Sequence, residues 1–241
     1  MPSSTPENVA PNNPRNAAHP ARDWLSEALI ERRSVMRWPK GASLQGWGDG
    51  ALAQLADCEP GSLSLLSWID LSDAPLQPPA LADRLALAAK ALTDGGLLML
   101  ADLGPGSLVE LADRLGPASP EGQELAAWRR AQLDLHDLGD ALALAGLAEP
   151  VMESESLVLT YRSERTALAD LSLLGVLKQA GFKGPDQPPE AWSQGLAGLR
   201  DREGLIRLQL EVVLGHAWRM PARKPKQDPQ EPVPIRFARR T

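Results

Sequence analysis

The sequence predicts an α/β fold built on a parallel sheet, and three observations carry that expectation. Two short apolar runs, residues 62–71 (SLSLLSWIDL) and 97–103 (LLMLADL), are bounded by turn residues and read as strands buried on both faces. Between them, residues 80–93 repeat apolar positions at helical spacing and stop at Asp94-Gly95-Gly96. The aliphatic load is Leu and Ala, and aromatic residues make up only 4% of the chain, which argues against an all-β barrel. A strand–helix–strand unit of this kind implies parallel strands joined by a right-handed crossover.

The remaining elements follow along the chain. Residues 1–22 are rich in Pro, Asn, Ser and Ala, lack apolar periodicity, and are expected to be a disordered tail. They hold no apolar stretch of the kind a secretory leader needs. Residues 23–37 place Trp24, Leu25, Ala28, Leu29 and Met36 near helical spacing. A glycine-rich turn is expected at Gly46-Trp47-Gly48-Asp49-Gly50, then a short helix at 51–57. After the strand at 97–103, Gly104-Pro105 leads into a helix at 106–115, followed by helices at 121–133 and 138–147. Residues 150–162 alternate apolar and polar and read as a strand; residues 164–180 read as a helix. Residues 205–218 are ambiguous, but Leu208, Leu210 and Val212 alternate and Val213 follows, which favours a strand. The two late strands predict an antiparallel pair closing the sheet. Residues 221–241 form a basic, Pro-rich tail in which Ile235-Arg236-Phe237 could dock as a short strand. One domain at 23–220 is expected between the two tails.

Composition and charge exclude several functions. No run of 18 residues is apolar and uncharged, so no membrane span is expected. Cys58 is the single cysteine, which excludes a disulfide framework and a multi-cysteine metal site. His19, His136 and His216 lie too far apart in sequence for a zinc motif, and no metal is expected. The net charge is −6, unevenly spread: residues 219–241 carry a net +5 and the body, 23–218, about −12. An acidic body argues against nucleic-acid binding. These absences together point to a cytoplasmic protein.

Several short motifs share an order and a spacing. They are Leu103-Gly104-Pro105 with Leu108, Glu110 and Leu111; His136-Asp137-Leu138-Gly139-Asp140-Ala141-Leu142 with Ala145-Gly146; Pro150-Val151-Met152; Tyr161-Arg162; and Gly215-His216-Ala217-Trp218. Over residues 62–220 this pattern resembles the malonyl-[acyl-carrier protein] O-methyltransferases of biotin synthesis, within the class I S-adenosylmethionine-dependent methyltransferases. The resemblance implies a Rossmann-like sheet, S-adenosylmethionine as methyl donor, and methylation of the free carboxylate of a malonyl thioester on an acyl-carrier protein partner. The first half departs from the family. Where the family shows LDLGCGTG, this chain has Ser43-Leu44-Gln45-Gly46-Trp47-Gly48-Asp49-Gly50, with Leu44 at the acidic position. Only 11 residues separate Gly50 from the strand at 62, too few for two further strands and a crossover. The sheet is thus expected to be truncated in its N-terminal half.

Candidate site residues follow from the resemblance and from position. Gly46, Gly48 and Gly50 would cradle the methionine end of the cofactor, or form an ordinary turn. Trp68 and Asp70 sit at the carboxyl end of a parallel strand, where α/β sites lie, or serve packing and capping. His136 and Asp137 would touch substrate at the cleft mouth, or begin a helix as its cap. Tyr161 and Arg162 would bind the malonyl carboxylate, to which the planar fork of Arg162 is suited, or Tyr161 packs on a helix and Arg162 is solvated. His216 closes the last strand as a substrate contact or as packing. Methyl transfer to an ionised carboxylate needs no general base, so no catalytic dyad is expected. A second reading keeps the methyltransferase-like sheet as a non-catalytic protein-interaction module.

Overall fold

The computed structural model describes residues 20–69, 78–177 and 189–221. The chain runs α1 (Pro20–Arg33), β1 (Ala42–Trp47), α2 (Gly48–Ala56), β2 (Leu63–Ile69), α3 (Pro78–Ala91) and β3 (Leu92–Leu103). Then come α4 (Val109–Leu115), α5 (Pro120–Arg130), α6 (Leu135–Leu144), β4 (Leu147–Tyr161), α7 (Glu164–Leu173), α8 (Glu190–Ala197) and β5 (Ile206–Arg219). The strands form one sheet in the order β1-β2-β3-β5-β4. β1, β2 and β3 are parallel, and β5 runs antiparallel between β3 and β4. The expected βαβ unit and the late antiparallel pair are both present.

Two helical layers cover the sheet. On one face Leu66, Trp68, Leu98, Leu100 and Val213 pack with Leu55 of α2, Leu85 of α3 and Leu142 of α6. On the other, Leu65, Ile69, Met99 and Leu214 pack with Leu25 of α1, Leu111 of α4, Leu168 of α7 and Trp192 of α8. Every residue of β2 is buried, which is why its sequence is mostly apolar, with only the small Ser64 and Ser67 between, rather than an alternation of apolar and charged residues. Helix starts are set locally. Ser119, Asp134 and Ser163 each accept backbone N–H bonds at the N-termini of α5, α6 and α7.

The structure corrects four sequence expectations. Residues 42–47 are a strand, not part of a turn, and α2 starts at Gly48 rather than at 51. Apolar alternation is weak in ASLQGW, so the strand exists through pairing with β2 rather than through its own pattern. α8 falls where no element was expected; Trp192, fully buried, anchors it. α3 ends at Ala91, and Thr93-Asp94-Gly95-Gly96 forms an irregularity inside β3 instead of a helix stop. α7 ends at Leu173, short of the expected 180. The expected tails, apart from residues 20–22, which begin α1, and residue 221, lie outside the described residues, as does Asp70.

Candidate functional site

The carboxyl ends of the parallel strands gather part of the expected site. Gly46 of β1, Trp68 of β2 and Leu100 of β3 stand opposite one another in register. Beyond them Trp68, Leu81, Leu85, Leu100, Ala101, Asp102 and Leu138 line a cavity of about 20 Å³. That is room for one water. The Trp68 indole N–H is buried and has no hydrogen-bond partner among the described residues. Leu138 of α6 reaches the same cavity; His136 and Asp137, just before it in the first turn, are exposed and do not line it. Asp134, not Asp137, caps this helix: its carboxylate accepts from the N–H groups of His136 and Asp137 at 2.8 and 2.9 Å. Those bonds, Asp137's first, hold the Asp134 carboxyl below its usual range. The His136 side chain is 83% exposed. Asp102 was missed from sequence, although an acid near the end of a predicted parallel strand was a signal for it.

Gly46, Gly48 and Gly50 do three different things. A Cβ on Gly46 would lie 2.5 Å from the Ala51 Cβ, so this glycine lets α2 fold back onto β1. Gly48 has φ +45° and turns the strand into the helix without a loop. Among the described residues, nothing lies within 4 Å of a Cβ built on Gly50. The N-cap residue of α2, Trp47, supplies no side-chain cap bond, so the first N–H groups of α2 have no side-chain acceptor at that cap.

The structure does not bring the other candidates to this edge. Glu155 is level with Leu103 through Val212, and Tyr161 lies six residues further along β4. Four strand spacings and those six residues put Arg162 more than about 25 Å from Gly48. Arg162 is exposed, and its carbonyl accepts from Arg200. Tyr161 is buried beneath α7; burial first, and Asp170 second, push its phenol above the usual range. His216 pairs in register with Met99 and Val151, on the sheet face opposite Trp68. Its ring meets Trp218 edge-on at 4.9 Å.

Burial lowers the His216 imidazole below 6.5, partly offset by Glu153. The unfolded chain therefore takes up this proton at higher pH than the folded one. Stability contributed by neutral His216 is present above about pH 6.5 and is lost as pH falls through the lower folded value. Measured by urea midpoints from pH 7.5 to 5.5, the wild type is expected to lose ground to His216→Gln on acidification. Parallel curves would remove this assignment.

Three of the sequence motifs meet at one packing point. Met152 of β4 lies 3.3 Å from a Cβ on Gly139 of α6 and fills the space above Gly215 of β5. Gly139 and Gly215 are small because Met152 sits between them. The Gly104–Leu108 segment instead clamps onto β5. Gly104 N–H donates to the Glu211 carbonyl, Leu108 N–H to the Gln209 carbonyl, and Gly106 N–H to the Glu211 carboxylate.

S-adenosylmethionine fits this edge at one end. The tight turn at Gly48, the uncapped α2 N-terminus and the open space at Gly50 suit the cofactor's methionine carboxylate. Among the described residues, β1 is the sheet edge and no strand stands beside it to hold the ribose. α2 and α3 cover the same face, so the reversal of winding that opens a dinucleotide crevice is not formed by them.

Three parallel strands with helical crossovers, closed by an antiparallel pair, define a Rossmann-like α/β protein. No protein-family profile matches the chain. By sequence the chain is related to the malonyl-[acyl-carrier protein] O-methyltransferases. It is 36% identical over 166 residues to that of Laribacter hongkongensis, covering 67% of this chain and 50% of the relative. It is 36% identical over 142 residues to that of Gallionella capsiferriformans, covering 58% and 47%. The chain spans about half the length of the curated relatives it matches. Among solved structures, it is similar to a Haemonchus contortus phosphoethanolamine N-methyltransferase in complex with S-adenosylhomocysteine. That match has 12% identity and TM-score 0.42, covering 83% of this chain and 57% of that one. It is also similar to the YcgJ protein of Bacillus subtilis, at 13% identity and TM-score 0.41, covering 82% and 77%.

Proposed function

We propose that the chain serves the reaction named for its relatives: methylation of the free carboxylate of a malonyl thioester carried on an acyl-carrier protein. The observation that carries this reading is the 36% identity over 166 residues to the Laribacter enzyme. S-adenosylmethionine, when bound, supplies an electrophilic methyl group. Gly48, Gly50 and the first turn of α2 would hold its methionine end. Trp68 would offer its indole N–H to an acceptor on the ligand, with His136 and Asp137 bordering the opening. The carboxylate is ionised near neutral pH, so these residues need only orient it and keep water out; no side chain has to remove a proton. The distance of Arg162 from α2 assigns it no grip on the reacting carboxylate. A cytoplasmic location is consistent with this chemistry.

The test is calorimetric titration of the full chain with S-adenosylhomocysteine. Saturable heat is expected, with Kd on the order of 10–100 µM because only one end of the ligand is gripped. Gly50→Leu should abolish that heat, since its side chain fills the open space, while leaving the thermal midpoint unchanged. Incubation with S-adenosylmethionine and malonyl-acyl-carrier protein should then add one methyl group to the carrier by mass spectrometry. No heat at millimolar ligand would overturn the reading.

A further inference from the structure

The face of the sheet toward α1 is left uncovered along one stretch of β4. There α1 and β4 frame an open groove of about 560 Å³ lined by Trp24, Glu27, Glu31, Arg32, Glu153 and Glu155, among others. Arg32 is paired with Glu153 and Glu155, which ties α1 to the strand. That leaves Glu27 and Glu31, both exposed on α1, facing the groove, and among the described residues neither is ion-paired with Arg32. Val35 lines the same groove at 84% exposure. β4 is the outer strand of the sheet, so its far edge has no neighbour among the described residues. A long unpaired edge beside an open groove is a docking surface in want of an occupant.

The chain carries a segment of matching chemistry. Residues 222–241 lie outside the described residues, and they hold Arg223, Lys224, Lys226, Arg236, Arg239 and Arg240 against Asp228 and Glu231. Within them Ile235 and Phe237 flank Arg236. The segment departs from the end of β5, where Arg219 pairs with Leu147 at the start of β4. Glu153 is level with Leu214, five residues up β5, or about 17 Å away. Fifteen residues from 222 to 236 cover that distance several times over.

We infer that the carboxyl-terminal segment around Arg236–Arg240 docks in cis into the groove between α1 and β4, with its arginines on Glu27 and Glu31 and its apolar residues against Val35. Individual exposed ion pairs are weak. A tether changes the arithmetic: a short linker holds the segment at an effective concentration of about 1 mM, so an intrinsic affinity of only about 0.1 mM leaves it mostly docked. The charged part of the contact is screened at high salt.

Trypsin cleavage after Arg236, Arg239 and Arg240, followed by mass spectrometry of the full chain, tests this. Cleavage is expected to be roughly tenfold slower than in a free synthetic peptide of residues 222–241 at low salt. The protection should vanish in 1 M NaCl and in Glu27→Gln/Glu31→Gln, whose exposed side chains can change without unfolding the chain. Hydrogen exchange at residues 151–158 should speed up in the same variant. Cleavage at the free-peptide rate would overturn the proposal. So would protection that grows with protein concentration, which would place the segment on a second copy instead.

Discussion

Gly46→Ala is expected to destabilise the fold by about 2 kcal/mol, because the added methyl overlaps a neighbour that cannot simply swing aside. The Cβ would sit 2.5 Å from the Ala51 Cβ and 2.9 Å from its Cα. Ala51 is fully buried on α2, so relief requires moving the helix off β1. Ala51→Gly alone should also cost about 1–2 kcal/mol, from helix propensity and the lost buried methyl. Combined, the two changes exchange one methyl across the contact. The double variant should therefore be more stable than the summed single costs predict, by about 1–2 kcal/mol. Urea unfolding of the four proteins measures this coupling. Costs that add within about 0.5 kcal/mol would mean that Gly46 is not a packing device, and its small size would then need a ligand to explain it.

That contact also shows why the glycine spacing was legible and its meaning was not. A sequence shows that three positions lack side chains; it does not show what fills the space. Gly46 faces Ala51, Gly48 takes a positive φ, and Gly50 faces nothing within 4 Å among the described residues. Elements with strong local signatures were readable: β2 as a mostly apolar run bounded by turn residues, β5 through its alternating leucines, α6 through its apolar face. β1 was not, because its few apolar residues are stabilised by pairing with a strand 21 residues later in register, Ala42 with Leu63. Placement at the site followed the same divide. Trp68 belongs to the carboxyl edge by virtue of its own strand. His216 and Tyr161 could be placed only once β5 was known to lie between β3 and β4. That long-range pairing sets one low on the opposite face and the other far up the outer strand.

Glu211 sits where the same kind of pairing makes a motif structural, and its replacement should be costly. Gly104 and Gly106 must be small because a Cβ on either would overlap the Glu211 side chain. The carboxylate accepts from the Gly106 N–H and, at 2.8 Å, from the Ser154 hydroxyl on β4. The Ser107 hydroxyl bonds the Glu211 backbone on both sides, donating to its carbonyl at 3.2 Å and accepting from its N–H at 3.0 Å. One residue of β5 thus pins the loop leaving β3 and the neighbouring strand together. Glu211→Ala leaves the Gly106 N–H and the Ser154 hydroxyl without their acceptor and opens a gap, and is expected to cost about 2–3 kcal/mol. Glu211→Gln separates charge from geometry. Its oxygen can still accept from Gly106, and its amide can donate to the Ser154 oxygen, so only the charge assistance is lost, about 1 kcal/mol. If urea midpoints rank the two variants in that order, the clamp is a hydrogen-bond fixture strengthened by charge. Equal losses would mean that the charge itself is what the loop requires, and a wild-type midpoint in Glu211→Ala would mean that the loop is held by its backbone bonds to β5 alone.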